Sequence, residues 1–410
     1  MIITKVLCLI NFLILFVKTK IYKENLLRYD NLLNFVLSVT IFISTFKFAR
    51  FQHDFGLLFN ISYVLMIFFF YFGYKISNQV KIQKKFQTTY NKKKFNYCVF
   101  VITLLILITF FYTWHILGTP PGLGGQVSRN AYFLGKLEGI YVLIYLLIFL
   151  IFYDFFNDKC LGIKFWIYLA IILFLIVARA NKFTIFYLVL VVLILYNSYV
   201  KKIKLKHIII ISIISVLIFV SSFNLFYNKM NDSTLEQRVA GYQVVLPKNM
   251  EFLTDIYLYI SCNYENINNY MENYSHHNTY GYYSFKSVND LIKINGLYFK
   301  IDPNIDKYWT DSLQYKTLNT GSIFRDFFLD FSLVGVVFFS FFIGLFSGWV
   351  EKNFYKNRNS IFASFLYCIV SFTLFMAYFT NFFSNILFLI NLLAALIVSY
   401  FVMSMKGEKN

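Results

Sequence analysis

The chain is poor in charged residues, and acidic residues are the scarcest of them. Only 14% of its 410 residues are charged, with 20 Asp and Glu against 38 Lys and Arg. Soluble domains carry charge on about a quarter of their residues, because their surfaces face water. A charge content this low therefore excludes an ordinary soluble protein.

Cysteine is also scarce, and its placement excludes a disulfide framework. Cys262 is the one thiol in a long polar segment, and the other four cysteines lie in or beside apolar runs (Cys8, Cys98, Cys160 and Cys368). A single thiol cannot form an internal disulfide there, and no pair has the spacing of zinc ligands. We therefore expect no metal ion and no other cofactor.

Proline is rare and lies outside every long apolar run, at Pro120, Pro121, Pro247 and Pro303. Transporters often build a binding site from helices that proline or glycine breaks at mid-membrane, and this signature is missing, as is an internal repeat. The glycine-rich segment at residues 118–125 allows a bulky ligand to approach the backbone closely. It lacks the spacing of a P-loop or a dinucleotide fingerprint, so a nucleotide is not expected.

Apolar residues make up 59% of the chain and aromatic residues 22%. Apolar runs long enough to cross the roughly 30 Å hydrocarbon core recur from end to end. The sequence therefore predicts an all-α polytopic integral membrane protein with about eleven transmembrane helices, ten and twelve being the alternatives. The runs lie at residues 2–17, 31–46, 55–74, 96–115, 137–156, 163–178, 183–200, 207–227, 331–350, 361–379 and 384–403.

The net charge of +18 comes from basic clusters between these runs, at residues 18–28, 81–94, 201–206 and 352–358. Basic clusters at span ends mark the cytoplasmic side of a membrane protein, so nucleic acid is not an expected partner. Residues 2–17 have no small-residue cleavage site and are predicted to be a retained first span. The N-terminus and residues 47–54, 116–136, 179–182, 228–330 and 380–383 are then predicted to lie outside.

This topology divides the chain into residues 1–227, an N-terminal membrane bundle of about eight spans, residues 228–330, a large outer loop, and residues 331–410, about three further spans. Loops of this length are uncommon unless they are functional. Residues 253–259 and 282–298 have the apolar spacing of short amphipathic helices. The loop is therefore predicted to be partly helical and to pack on the membrane surface or cap a cavity.

An arginine and two aspartates lie where the large loop re-enters the apolar chain. Arg325, Asp326 and Asp330 directly precede the run at residues 331–350. Charges at the edge of a bilayer are costly unless they face water, protein or a charged ligand. We predict all three to be catalytic. The alternative is a salt-bridge network at a helix N-terminus, where aspartate is favoured and Arg325 needs a partner.

A second pair of cations, Arg179 and Lys182, lies in a turn between two apolar runs. The preceding run, at residues 163–178, rises only about 24 Å as a helix, so the turn is predicted to lie slightly below the outer surface. The two side chains either reach the lipid headgroups or face an internal cavity that holds an anionic substrate. Both are candidate substrate-binding residues.

Two further arginines and a histidine pair complete the candidate set. Arg129 follows the glycine-rich segment and Arg238 lies early in the large loop, where each could bind a substrate phosphate. His276 and His277 are adjacent, so they do not easily bind one metal ion. They are either a surface pair without a catalytic role or general bases near neutral pH.

Together these residues predict a substrate with three chemical parts. The planar guanidinium group suits phosphate, and the tyrosines and asparagines of the large loop suit sugars. A lipid would lie beside the spans. A lipid-linked, phosphate-bearing saccharide has all three parts.

Three segments carry a resemblance to a known family. They are the turn Ala178-Arg179-Ala180-Asn181-Lys182, the loop from Tyr257-Leu258-Tyr259 through Tyr280-Gly281-Tyr282-Tyr283-Ser284-Phe285, and the re-entry Asn319-Thr320-Gly321 with Arg325-Asp326 and Leu329-Asp330-Phe331-Ser332-Leu333-Val334-Gly335. With the chain length, the many spans and the single large loop, they resemble the Wzy-type oligosaccharide repeat-unit polymerases of bacterial envelopes. The re-entry resembles that family's Asn-Thr…Asp-Phe-Gly…Gly pattern, and Ser332 stands where glycine is usual.

The resemblance implies a membrane glycosyltransferase of the bacterial inner membrane, with the large loop in the periplasm. It would move the growing glycan from undecaprenyl pyrophosphate onto a newly flipped lipid-linked repeat unit, in O-antigen or capsule synthesis. Expected partners are the lipid-linked glycan, membrane lipids, a chain-length regulator and a flippase. Two alternatives stay open: an O-antigen ligase, which shares the spans and large loop, and a flippase for the lipid-linked repeat.

Overall fold

The computed structural model describes residues 2–77, 79–81, 90–127, 131–158, 162–203, 235–274, 278–292, 305–315 and 318–403. The described residues form helices and no β-strand, with two isolated bridges at Ala49–Val244 and Tyr90–Met403. The predicted all-α class is therefore confirmed. The predicted span at residues 207–227 lies outside the described residues.

The α-helices of the described residues are numbered here in chain order. They are α1 (Ile2–Phe16), α2 (Tyr29–Ser44), α3 (Leu57–Ser77), α4 (Lys92–Leu117), α5 (Glu138–Tyr141), α6 (Ile144–Asp158), α7 (Ile163–Ala178), α8 (Lys182–Tyr199), α9 (Leu235–Gly241), α10 (Thr254–Asn273), α11 (Lys286–Ile292), α12 (Ile305–Ser312), α13 (Ile323–Lys356), α14 (Ile361–Phe375) and α15 (Ile386–Val402).

Six helical stretches of the described residues are long and apolar enough to cross a membrane: Ile2–Ile21, Leu57–Ser77, Lys92–Leu117, Glu138–Asn157, Ile323–Lys356 and Ile361–Tyr378. Four shorter apolar helices have 10–17 residues. Helices of this length and number carry more apolar surface than the core of one soluble domain could bury, so the protein is membrane-embedded. The number of eleven spans stays a prediction.

The chain forms two compact units, each built from separate stretches of sequence. Unit one comprises residues 1–82, 236–353 and 373–389, and unit two comprises residues 83–235, 354–372 and 390–410. Unit one therefore combines the first three helices with most of the predicted outer loop and the long helix α13. The loop does not form a compact unit of its own.

Helix α10 is the main departure from the predicted loop structure. A short amphipathic helix was expected at residues 253–259, whereas α10 runs from Thr254 to Asn273 and is buried on nearly every side, including Asn263, Glu265 and Asn266. It packs against α2, α3 and α12 within unit one. The polar side chains of α10 bind the protein's own backbone inside unit one. That the loop packs on the membrane surface or caps a cavity stays a prediction.

Within each unit, segments predicted to lie on the same side of the membrane contact one another. In unit one, Ala49 pairs with Val244, and the Tyr257 hydroxyl donates to the Gln52 side chain. In unit two, Tyr90 pairs with Met403, close to basic residues predicted to be cytoplasmic. These contacts agree with the predicted partition into two sides. Which side faces the periplasm stays a prediction.

That orientation can be tested with an introduced cysteine. Cys262, in the predicted outer loop, is only 2% exposed, and burial raises the pKa of its thiol to about 12, so this natural cysteine is unsuitable as a reporter. Lys248 is exposed, and we expect a membrane-impermeant maleimide to label Lys248→Cys in intact spheroplasts. Lys202→Cys, at an exposed position predicted to be cytoplasmic, should react only after lysis. The reverse pattern would overturn the orientation.

Candidate functional site

Helix α13 is a hairpin of two arms and not one straight rod. Its backbone leaves the helical region at Phe331 and Ser332. Residues 323–330, here called the short arm, fold back along residues 333–356, the long arm. A Cβ atom placed on Gly335 would lie 2.1 Å from the carbonyl oxygen of Phe327, and the rings of Phe327 and Phe339 stack with centroids 5.1 Å apart. The long arm alone is long enough to cross a core of roughly 30 Å.

The turn between the two arms has a backbone conformation that suits glycine. Ser332 has φ 53° and ψ −140°, a region that side chains with a Cβ atom rarely occupy. Its hydroxyl donates to Asn278 Oδ1 at 3.0 Å. Glycine would adopt this conformation without strain.

Ser332 therefore carries strain and a compensating hydrogen bond, which two substitutions can separate. Ser332→Gly relieves a strain of roughly 1–3 kcal/mol and loses a hydrogen bond worth about 1 kcal/mol. Ser332→Ala loses the hydrogen bond and keeps the strain. We expect thermal unfolding in detergent to rank Ser332→Gly clearly above Ser332→Ala. Equal melting temperatures would show that the turn is not strained at this residue.

Arg325 lies on the short arm, between one carboxylate and two aromatic rings. Its Nε and Nη2 groups both contact Asp326 Oδ1 at 2.8 Å. The guanidinium carbon lies 5.3 Å from the centre of the Trp309 ring and 5.8 Å from that of Tyr283. The side chain keeps 20% of its surface exposed. Arg325 is thus a fixed cation with an open edge, and Asp326 is the partner that its position near a helix N-terminus requires.

Asp326 and Asp330 are both buried, and each fixes the short arm to another segment. Asp326 accepts hydrogen bonds from Arg325 and, at 2.8 Å, from the hydroxyl of Ser384. Asp330 accepts from the hydroxyl of Thr279 and from two backbone N–H groups, Tyr283 at 3.1 Å and Ser284 at 2.7 Å. A carboxylate with this many donors is held rigidly. The contacts of both aspartates are those of positioning residues; a catalytic role for either stays a prediction.

Arg179, in unit two, has the same kinds of neighbour as Arg325, namely one carboxylate and two aromatic rings. It pairs with the carboxylate of Glu138, and its guanidinium carbon lies 4.0 Å from the ring centre of Tyr141 and 5.5 Å from that of Tyr132. The side chain is only 6% exposed. Within the described part of the chain, its Nε and Nη2 groups are buried without a hydrogen-bond partner. Burial by protein favours an internal cation over one that reaches the headgroups.

The backbone around Arg179 explains the glycine-rich segment. Arg179 follows the last residue of α7, where a cation complements the helix dipole. A Cβ atom on Gly122 would lie 1.7 Å from the carbonyl oxygen of Val177. The expectation that these glycines let a bulky ligand approach the backbone is therefore wrong for Gly122, because the end of α7 occupies the space beside it.

The remaining candidate residues are placed only in part. Lys182 is the first residue of α8 and Arg238 lies within α9, but their side chains lie outside the described part of the structure. Arg129, His276 and His277 lie outside the described residues altogether. Their proposed roles stay predictions.

Sequence reasoning missed the asparagines of α10, which determine the position of the re-entry segment. Asn266 Nδ2 donates to the carbonyl oxygens of Leu318 at 2.6 Å and Thr320 at 2.9 Å, and the hydroxyl of Thr320 donates to Asn263. Asn269 Nδ2 donates to the Ser312 carbonyl at 2.6 Å. The spacing of Asn263, Asn266 and Asn269 was the available signal, because residues three apart share a helix face. These amides were expected to suit sugars, but they bind backbone.

The fold and these residues define a class: a multi-pass helical membrane protein with two fixed arginine sites, one in each unit. The described residues contain no group of three His, Cys, Asp or Glu side chains that could hold a metal ion. Comparison with known proteins gives no match to a family model, to a curated protein or to a solved structure.

Proposed function

We propose that this protein polymerises lipid-linked oligosaccharide repeat units at the outer face of a bacterial inner membrane. The observation that carries the proposal is Arg325, a guanidinium fixed by one carboxylate and flanked by two aromatic rings on a re-entrant arm. A fixed guanidinium recognises phosphate, and neighbouring aromatic rings can stack on sugars. The three segments with Wzy-type resemblance add to this support, since two of them contain Arg325 and Arg179.

The proposed reaction transfers a glycan from one lipid pyrophosphate to a sugar hydroxyl on another lipid-linked repeat. The bond between the anomeric carbon and the pyrophosphate oxygen breaks, and its electron pair leaves with the lipid pyrophosphate. The departing group gains negative charge in the transition state, so a preorganised cation accelerates the step. Arg325 is suited to this role because Asp326 holds it in place before substrate binds.

Arg179 supports the same proposal from unit two. Each arginine has one carboxylate and two aromatic rings as neighbours. Two buried nitrogen atoms of Arg179, Nε and Nη2, lack partners within the described residues, and a buried unpaired donor is costly unless a ligand satisfies it. The reaction has lipid-linked pyrophosphates as substrates, and the chemistry of Arg179 suits a pyrophosphate as that of Arg325 does.

A deletion strain tests the proposal against its alternatives. Loss of a repeat-unit polymerase should leave surface glycan of a single repeat, visible as one short band on a gel. Loss of an O-antigen ligase should leave no surface glycan, and loss of a flippase should leave lipid-linked repeats on the cytoplasmic face. Long-chain glycan in the deletion strain would refute all three assignments.

Substitution of Arg179 tests the second site. Arg179→Lys keeps the charge but loses the planar fork that faces Glu138 and the two rings, so we expect polymer length to fall sharply. Protein level in the membrane must be measured alongside, because a buried arginine also contributes to packing. Normal polymer length from a well-expressed Arg179→Ala/Arg325→Ala double variant would show that neither arginine takes part in the proposed reaction.

A further inference from the structure

A histidine outside the two arginine sites is paired with a buried glutamate in unit one. His53 lies in the segment between α2 and α3, and its Nδ1 atom is 2.6 Å from Glu265 Oε1 on α10. The same oxygen accepts the backbone N–H of His53 at 3.1 Å. The His53 side chain is 65% exposed, whereas that of Glu265 is 3% exposed. The pair thus presents an imidazole to the surface and keeps its carboxylate inside.

The surroundings of Glu265 make it a strong partner for the ring. Burial raises the pKa of Glu265, and its hydrogen bonds with His53 act in the opposite direction. The positive charge of Lys47, which lies in the same segment as His53, also acts to lower the pKa of Glu265. Its ammonium group, however, pairs with Asp54 Oδ1 at 2.6 Å. Glu265 Oε2 is buried with no hydrogen-bond partner in the described part of the chain. Glu265 Oε1 thus contacts His53 through both its ring and its backbone N–H.

The segment that carries His53 is held rigidly by the same face of α10. The Gly56 N–H donates to Asn268 Oδ1 at 2.8 Å, and Asn268 Nδ2 donates to the Asp54 carbonyl at 3.3 Å. Glu265 and Asn268 are three residues apart and so lie on one helix face. Rigid support of this kind is what a group that transfers protons needs, because misplacement of a catalytic group is costly.

Helix α10 also links this pair to the arginine site. Asn266, the residue after Glu265, binds the carbonyl oxygens of Leu318 and Thr320, and that segment leads directly into the short arm with Arg325. Helix α10 therefore contacts both the segment that carries His53 and the residues that precede the short arm. Both segments are predicted from the basic clusters to lie on the outer side, where the acceptor sugar would be.

We infer that His53 is the general base that activates the acceptor hydroxyl, with Glu265 as its positioning residue; this inference rests on the proposed function. Nδ1–H donates to Glu265, which leaves the Nε2 lone pair available to the substrate. As the acceptor oxygen bonds to the anomeric carbon, its proton moves to Nε2. The electron pair of the broken bond leaves with the lipid pyrophosphate, and His53 later releases the proton to water. The substrate class is a sugar hydroxyl at the non-reducing end of a lipid-linked repeat.

The test uses full-length protein in proteoliposomes and lipid-linked repeat units extracted from the deletion strain. His53→Gln should slow transfer by about 10²–10⁴-fold, while binding of the lipid-linked repeat is unchanged. Glu265→Gln should slow transfer by a smaller factor, again with unchanged binding, because the ring keeps Nε2 but loses the carboxylate that orients it. His115→Gln, at an exposed histidine of unit two, should behave as wild type.

The possible results separate the two claims. Active wild-type protein with an equally active His53→Gln variant would overturn the inference and leave the polymerase proposal intact. A Glu265→Gln variant with a lower melting temperature and weaker binding of the lipid-linked repeat, but no slower transfer step, would show that the pair only anchors the segment and would overturn the inference. Wild-type protein that transfers no repeat unit would remove the proposed function, and the inference with it.

Discussion

Replacing Arg325 by lysine should abolish long-chain polymer even though the positive charge is kept. Lysine is a point charge that cannot contact Asp326 through two N–H groups or lie flat between two rings. Loss of one preorganised donor to a developing anion typically slows a reaction by about 10²–10³-fold. We expect a deletion strain that carries Arg325→Lys to make single-repeat glycan, measured on a gel beside the protein level.

Two further variants complete this test. Arg358→Lys makes the same change at an exposed arginine of the predicted cytoplasmic cluster and should leave polymer length unchanged. Arg325→Ala distinguishes chemistry from anchoring. If Arg325 only anchors the short arm through Asp326, lysine should suffice and alanine should chiefly lower the amount of protein in the membrane. That outcome would remove Arg325 from the proposed site.

Replacing Gly335 by alanine should prevent the two arms of α13 from closing. The added Cβ atom would lie 2.1 Å from the Phe327 carbonyl oxygen, and backbone cannot move aside as a flexible side chain can. Overpacking of this kind costs roughly 1–3 kcal/mol or more. The short arm would be displaced together with Arg325. We expect a lower melting temperature in detergent and loss of long-chain polymer.

Gly162→Ala is the matched control, because no atom of the described residues lies within 4 Å of the added Cβ atom there. It should change neither the melting temperature nor the polymer. If Gly335→Ala melts like the wild type and supports full-length polymer, then the short arm does not pack against the long arm as described.

The sequence was sufficient where hydrophobicity alone determines structure. The run at residues 163–178 coincides with α7, because Gly162 and Arg179 bound an apolar stretch in which Lys164 is the one charged residue. The break in α13 could not be predicted in the same way. Residues 331–350 form one apolar run, and the bend within it depends on Asp330 accepting bonds from residues 279–284, about fifty positions earlier in the chain.

The contacts of the candidate site residues also differ in whether they join neighbours in the sequence. Arg325 and Asp326 are adjacent in the sequence, so the carboxylate that pairs with Arg325 could be predicted from the local sequence. The pairing of Arg179 with Glu138 joins residues 41 positions apart, and that of His53 with Glu265 joins residues 212 positions apart. The apolar spacing at residues 253–259 predicts one buried face, whereas α10 is buried on nearly every side. Its asparagines are buried because the backbone carbonyls of other segments satisfy them.

The composition of unit one has a consequence for biogenesis. Its three stretches are separated by most of unit two in the order of synthesis. When α1, α2 and α3 have entered the membrane, the hydroxyl of Thr40 and the side chain of Gln52 still lack their partners, Tyr264 and Tyr257, more than two hundred residues downstream. These two hydrogen bonds therefore form only after α10 has been synthesised. Truncations before α10 should leave a chain that cellular proteases degrade.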